Sequence, residues 1–149
     1  MKKIIVIAAV LLGFAVAVSA QPRAIGVRIG NGGEVSYQHT LGNNFLEVDG
    51  GIALNRDAEL NVGATGIYNF MIAEFGNGFG FYAGPGASVG MGVGEISYFT
   101  LSAAGMIGIE YNFDIPLNLS LDFRQNVGIG FGGSLWAPSS IGLSVRYRF

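Results

Sequence analysis

The sequence predicts an all-β protein, an eight-stranded antiparallel up-and-down transmembrane β-barrel, from three observations. Apolar and polar residues alternate along eight segments after residue 20, which is the period-two pattern of strands with two different faces. These segments contain no lysine, although a soluble domain of this size normally presents many. No segment after residue 20 has the roughly 20 apolar residues that a spanning helix needs, so a closed barrel is the remaining way to cross a membrane.

The first 20 residues have the layout of a secretory signal peptide. Lys2 and Lys3 precede an apolar run, and the small residues Val18, Ser19 and Ala20 form a cleavage box. The run is too short for the alternative, an N-terminal membrane anchor. We therefore divide the chain into a signal peptide, 1–20, and one barrel domain, 21–149. That domain keeps six Arg against ten Asp and Glu, and this acidic balance argues against nucleic acid as a partner.

Turn-forming residues separate the eight predicted strands. The strands are expected at about 23–30, 34–41, 45–54, 59–70, 79–93, 99–113, from 117 onward, and at 141–149. One face of the fifth strand is almost all glycine, which suits a narrow interior filled by side chains from other strands. Pro85 in the same strand cannot donate to the ladder, so we expect a bulge or kink there.

The chain ends on an alternating strand that closes with an aromatic residue. Its apolar face consists of Ile141, Leu143, Val145, Tyr147 and Phe149. This ending resembles the assembly signal of bacterial outer-membrane β-barrels, and the resemblance implies the barrel-assembly machinery as a partner. With the segments 81–86, 108–113 and 117–124, the whole chain after residue 20 resembles small eight-stranded barrels of the OmpA/OmpX and porin-like superfamily.

The resemblance implies a cellular location and a membrane environment, but no particular activity. It implies a Gram-negative cell outer membrane, a monomer in contact with outer-membrane lipid, and both chain termini in the periplasm. A signal peptide followed directly by Gln21 also resembles those of Bacteroidota secreted proteins. The matching segments are patterns of residue type and contain no active-site fingerprint.

Aromatic residues cluster beside the turns that would face the periplasm. Such residues form girdles where a barrel leaves the bilayer. The predicted periplasmic aromatic girdle consists of Tyr68, Phe70, Phe79, Phe81, Tyr111, Phe113, Tyr147 and Phe149.

Charged residues share the predicted inner face of the barrel. The predicted lumen polar network consists of Arg28, Glu34, Glu47, Asp49, Glu110, Asp122, Arg124, Arg146 and Arg148. Inside a narrow barrel these charges should pair across strands, since an unpaired buried charge costs several kcal/mol. We expect Arg124 to pair with Asp122 or Glu110. The alternative is a charged constriction in a narrow porin-like channel for small solutes or ions.

Catalysis and cofactor binding are not expected. His39 is the one histidine, so a Ser-His-acid hydrolase would have to use it, yet it lies on the apolar face near the Gly42 turn. One histidine and no cysteine make a His-rich or Cys-rich metal site impossible. We expect a non-enzymatic protein with no metal or cofactor, and a structural or surface-interaction role through the outward loop 128–139. A soluble lipocalin-like barrel is a further alternative and would turn the apolar face inward.

Overall fold

The computed structural model describes residues 22–54, 60–93, 99–130, 135–136 and 139–149. These residues form the strands β1 (Pro22–Ile29), β2 (Gly32–Leu41), β3 (Asn44–Leu54), β4 (Leu60–Phe75), β5 (Phe79–Val93), β6 (Phe99–Asn112), β7 (Leu117–Gly130), β8 (Leu135–Trp136) and β9 (Ser139–Arg148). None of the described residues belongs to a helix long and apolar enough to cross a membrane. The predicted signal peptide lies outside the described residues, as do the connections 55–59 and 94–98 and most of the last loop.

Eight of the strands form a closed antiparallel ring. Each of β1 to β7 pairs with its neighbour in sequence, β7 pairs with β9, and β9 pairs with β1 to close the ring. The short β8 pairs with the C-terminal end of β7, where Gly128 lies opposite Trp136. The prediction of an eight-stranded up-and-down barrel is therefore confirmed.

The two ends of the barrel differ in their connections. One end, the terminus end, carries Pro22, Phe149 and the turns 42–43, 76–78 and 113–116. The opposite end, the loop end, carries the turn 30–31 and the strand ends Leu54, Val93 and Gly130. Gly42 and Gly78 have φ values of 66° and 96°, a backbone conformation that favours glycine. The backbone N–H of Phe149 donates to the Arg23 carbonyl at 3.2 Å, which ties the chain end to β1.

The fourth strand continues five residues past its predicted end at residue 70. Its continuation, 71–75, pairs with the start of β5, as in Phe75 opposite Phe79. The register shifts between Met71 and Ala73, so one extra residue interrupts the alternation. Because the sequence pattern breaks at this bulge, the segment does not have the signature of a regular strand.

We expected a bulge or kink at Pro85, and the bulge is wrong. Pro85 lies opposite Gly105 on β6, and the pairing with β4 keeps one register on both sides of it. On β5, the residues without a partner in this ladder are Gly84 and Pro85, and the proline has no N–H to donate. The proline therefore interrupts the pairing of β5 with β4 locally and does not change its register.

The two faces of the barrel wall differ sharply in polarity. Many large apolar side chains on the outside are exposed, among them Ile141 at 67%. On the same strand the inward-facing Arg146 is only 1% exposed. The lipocalin-like alternative required the apolar face inside, and the structure places it outside.

Candidate functional site: the barrel lumen

A first group of charges lies in the half of the lumen nearer the loop end. This loop-end cluster consists of Arg28, Glu34, Asp49, Asp122 and Arg124. The Arg28 guanidinium donates to Asp122 Oδ1 at 2.6 Å and to Glu34 Oε2 at 2.8 Å. Arg124 donates to Glu34 Oε1 at 3.1 Å and pairs with Asp49. Two cations therefore share three carboxylates, which leaves this cluster with a formal charge of −1.

A second group of charges lies nearer the terminus end. This terminus-end cluster consists of Arg23, Glu47, Glu110 and Arg146. Arg146 donates to Glu47 Oε1 at 2.9 Å, and its Nε donates to Ser36 on β2 at 2.8 Å. Arg23 pairs with Glu110, which also accepts from Asn118 at 3.0 Å. The cations and carboxylates of this cluster are equal in number.

An apolar group fills the other side of the lumen. It consists of Phe45, Ile67, Tyr82, Ala104 and Met106, all buried. The rings of Phe45 and Tyr82 meet edge to face, with their centroids 5.2 Å apart. Sequence reasoning had treated the interior as polar, although inward periodicity at these positions could have revealed the group.

Two inward glycines make room for these groups. A Cβ built on Gly142 would lie 2.3 Å from Arg28 Cζ, so the guanidinium can cross β9 only because residue 142 has no side chain. A Cβ on Gly108 would lie 2.5 Å from Tyr82 Cζ. The glycine-rich inner face is thus occupied by long side chains from other strands.

Cavities lie at the two ends of the lumen. The cavity at the loop end has a volume of about 290 Å³ and reaches down to Arg28, Glu34 and Arg124. The cavity at the terminus end has about 340 Å³ and reaches Glu110. The terminus-end cluster and the apolar group lie between the two cavities.

Eight of the nine residues predicted for the lumen network belong to the two clusters. The ninth, Arg148, instead donates to the carbonyls of Phe113 at 2.6 Å and Ile115 at 3.3 Å, so it holds the turn 113–116. Sequence reasoning missed Arg23, because strict alternation puts it on the outer face. A register shift between Pro22 and Ala24 turns it inward.

The expected partners of Arg124 are wrong. Arg124 pairs with Glu34 on β2 and Asp49 on β3, which it reaches across the lumen. Asp122 pairs with Arg28 and Glu110 pairs with Arg23. Sequence reasoning favoured partners on the same or the adjacent strand, whereas an arginine side chain spans this narrow interior.

The eight predicted girdle residues lie on strands and at chain ends near the terminus end. Phe79, Tyr111 and Phe113 form a row with successive centroid distances of 4.6 Å. Tyr68 lies beside the turn 42–43, because its hydroxyl accepts from Asn44 at 3.3 Å. Phe75, which was not predicted, is 59% exposed and lies next to the turn 76–78. The remaining ring pairs are Tyr68 with Phe70 and Tyr147 with Phe149, while Phe81 lies opposite Ile109.

His39 lies on β2 opposite Leu46, with its Nδ1 3.4 Å from the Tyr37 hydroxyl. It is partly exposed on the outer face near the turn at Gly42. Over the described ranges, no group of three or more His, Asp or Glu residues is placed to hold a metal ion.

Comparison with known proteins supports the fold. No family model matches the chain, and the search of curated proteins found no match. The crystal structure of Neisserial surface protein A (NspA) is similar, with a TM-score of 0.58 and 16% sequence identity, over 86% of this chain and 94% of that one. At this identity the likeness shows the fold alone, which is a closed eight-stranded antiparallel β-barrel.

Proposed function

We propose that the chain is an integral protein of the outer membrane, whose eight long strands cross the bilayer around a closed lumen. One observation carries this proposal: large apolar side chains cover the outside of the ring, while arginines and carboxylates are buried inside it. A barrel in water would have polar side chains outside and apolar ones inside, whereas an apolar outer face suits contact with lipid. The exposed aromatic residues near the terminus end support a membrane boundary there.

The side chains in the lumen favour a structural or surface-interaction role, and they argue against transport or catalysis. Charged pairs and apolar side chains occupy its middle, between the two end cavities. A barrel of eight strands has an interior just wide enough for such side chains. The proposal includes a periplasmic terminus end, a loop end outside the cell, lipid as the surrounding partner, a monomer, and assembly through β9.

Two measurements on refolded protein test the proposal. Unboiled protein in detergent should migrate differently from boiled protein on a denaturing gel, because the closed ladder resists the detergent. In a planar bilayer it should show little steady conductance, since charged pairs and apolar side chains occupy the middle of the lumen. Identical gel mobility together with recovery from the soluble periplasm would reject the membrane location. Steady conductance of the wild type would favour the channel.

A pair of arginine variants separates a plugged lumen from a channel. Arg124→Ala removes the partner of the buried Asp49 and opens space beside the loop-end cavity, so we expect lower stability and brief conducting events. Arg148→Ala removes the same charge from the turn 113–116, and its conductance should equal that of the wild type. Equal steady conductance of all three proteins would reject the plug.

A further inference from the structure

The loop-end cavity is a cup with charged residues at its floor. Its floor is formed by Arg28, Glu34 and Arg124 of the loop-end cluster, and its volume of about 290 Å³ is close to the small end of ligand pockets, about 300 Å³. Below this floor lie the buried terminus-end cluster and the apolar group. A solute that enters from the loop end therefore meets a closed bottom.

The charge that the floor presents to a solute is negative. Arg28 and Arg124 have side chains only 2–3% exposed, because carboxylates surround them. Glu34 is the exception, with 21% of its side chain exposed, whereas Asp49 and Asp122 are at 0%. The cluster as a whole also carries one more carboxylate than guanidinium. Glu34, whose oxygens also accept from Arg28 and Arg124, is therefore the charged group of the floor that is most open to an incoming cation.

Neutral hydrogen-bonding groups line part of the wall of the cup, and apolar residues and glycines line the rest. The Thr65 hydroxyl lies 2.7 Å from the Ser88 hydroxyl, which donates to Asn126 Oδ1 at 2.9 Å. This chain of groups lines one side of the cavity, and Thr100 and Ser140 line other parts. On the floor, the Nε–H of the buried Arg124 has no partner among the described residues. The hydroxyl and amide groups of this part of the wall can bond to the hydroxyl groups of a ligand.

We propose that the loop-end cavity binds a small hydroxylated organic cation, an amino sugar or amino alcohol. The ammonium group lies at Glu34, and the hydroxyl groups bond to the Thr65–Ser88–Asn126 wall. This site goes beyond the proposed membrane role. Binding is measurable in detergent micelles, so its failure is distinguishable from a failure of the gel-shift or conductance tests.

Three ring compounds of nearly one shape test the charge preference. Glucosamine, glucose and glucuronate are titrated separately into refolded protein in detergent, at a mildly acidic pH where the amine is protonated. Amide NMR shifts and calorimetry report binding. We expect glucosamine to bind about tenfold more tightly than glucose, with shifts at the amides of Ser88 and Asn126. Equal binding of glucosamine and glucose, a preference for glucuronate, or no saturable shift with any of them would overturn the proposal.

Three variants test the site itself, each first shown to be folded by its gel shift. Glu34→Gln should weaken glucosamine binding about tenfold and leave glucose binding unchanged. Glu110→Gln removes the same charge from the terminus-end cluster and should leave both unchanged. Ser88→Leu keeps every charge but fills the cup, and it should abolish binding of both sugars. Should Glu34→Gln fail to fold, Ser88→Leu decides: unchanged binding in it would overturn the proposal, as would equal effects of Glu34→Gln and Glu110→Gln.

Discussion

Replacing Arg146 with methionine should destabilise the barrel by about 3–5 kcal/mol, because the change strands a buried carboxylate. Glu47 accepts from Arg146 at 2.9 Å, and its side chain is 0% exposed. After the change the Gln38 amide, at 2.8 Å, still donates to it, but no guanidinium does. Methionine is long and unbranched, so little of the loss comes from an empty cavity.

A double change isolates the charge from the other contacts of Arg146. In Arg146→Met with Glu47→Gln no unpaired charge remains, so the double variant should regain most of the lost stability. It should stay about 1–2 kcal/mol below the wild type, since Arg146 also donates to Ser36 and Ser120. The control Arg148→Met, in the turn contact at the terminus end, should cost about 1 kcal/mol.

The assay is urea unfolding of protein refolded into lipid vesicles, followed by the fluorescence of Trp136, the one tryptophan in the sequence. The midpoint and slope give the free energy of unfolding of each variant. A loss below about 1 kcal/mol in Arg146→Met would contradict the buried pair. So would a double variant whose loss equals the sum of the two single losses, because independent sites add.

Three further predictions concern faces, packing and processing. Val145→Arg, on the outer face of β9, should cost about 2–4 kcal/mol in the same assay if residue 145 meets lipid near mid-depth, whereas Ser144→Ala should cost about 1 kcal/mol or less. Gly142→Val should displace the Arg28 guanidinium and lower the folded yield, since even a Cβ would lie 2.3 Å from Arg28 Cζ; wild-type stability would contradict that close approach. Protein from the membrane fraction should have the intact mass of a chain that starts at Gln21. A mass that still includes residues 1–20 would reject the signal peptide.

The sequence by itself determined the fold class and the two faces of the wall. Alternation along a strand is a local property, so Ile141 and Gly142 take opposite faces in any regular strand. The lack of lysine after residue 20 and the charged inner positions then indicated which face meets lipid. Strand number and order followed, because short turns between sequential segments allow only antiparallel neighbours.

The tertiary structure decided which charges meet and where the alternation breaks. Arg124 lies beside Glu34 and Asp49 because ring closure brings β7 opposite β2 and β3, and no local pattern encodes that distance. The bulges near Arg23 and Met71 depend on how neighbouring strands stagger, so Arg23 turns inward against its own periodicity. The cup at the loop end has the same origin: it is the space that remains above the cross-lumen pairs once the register of all eight strands is set.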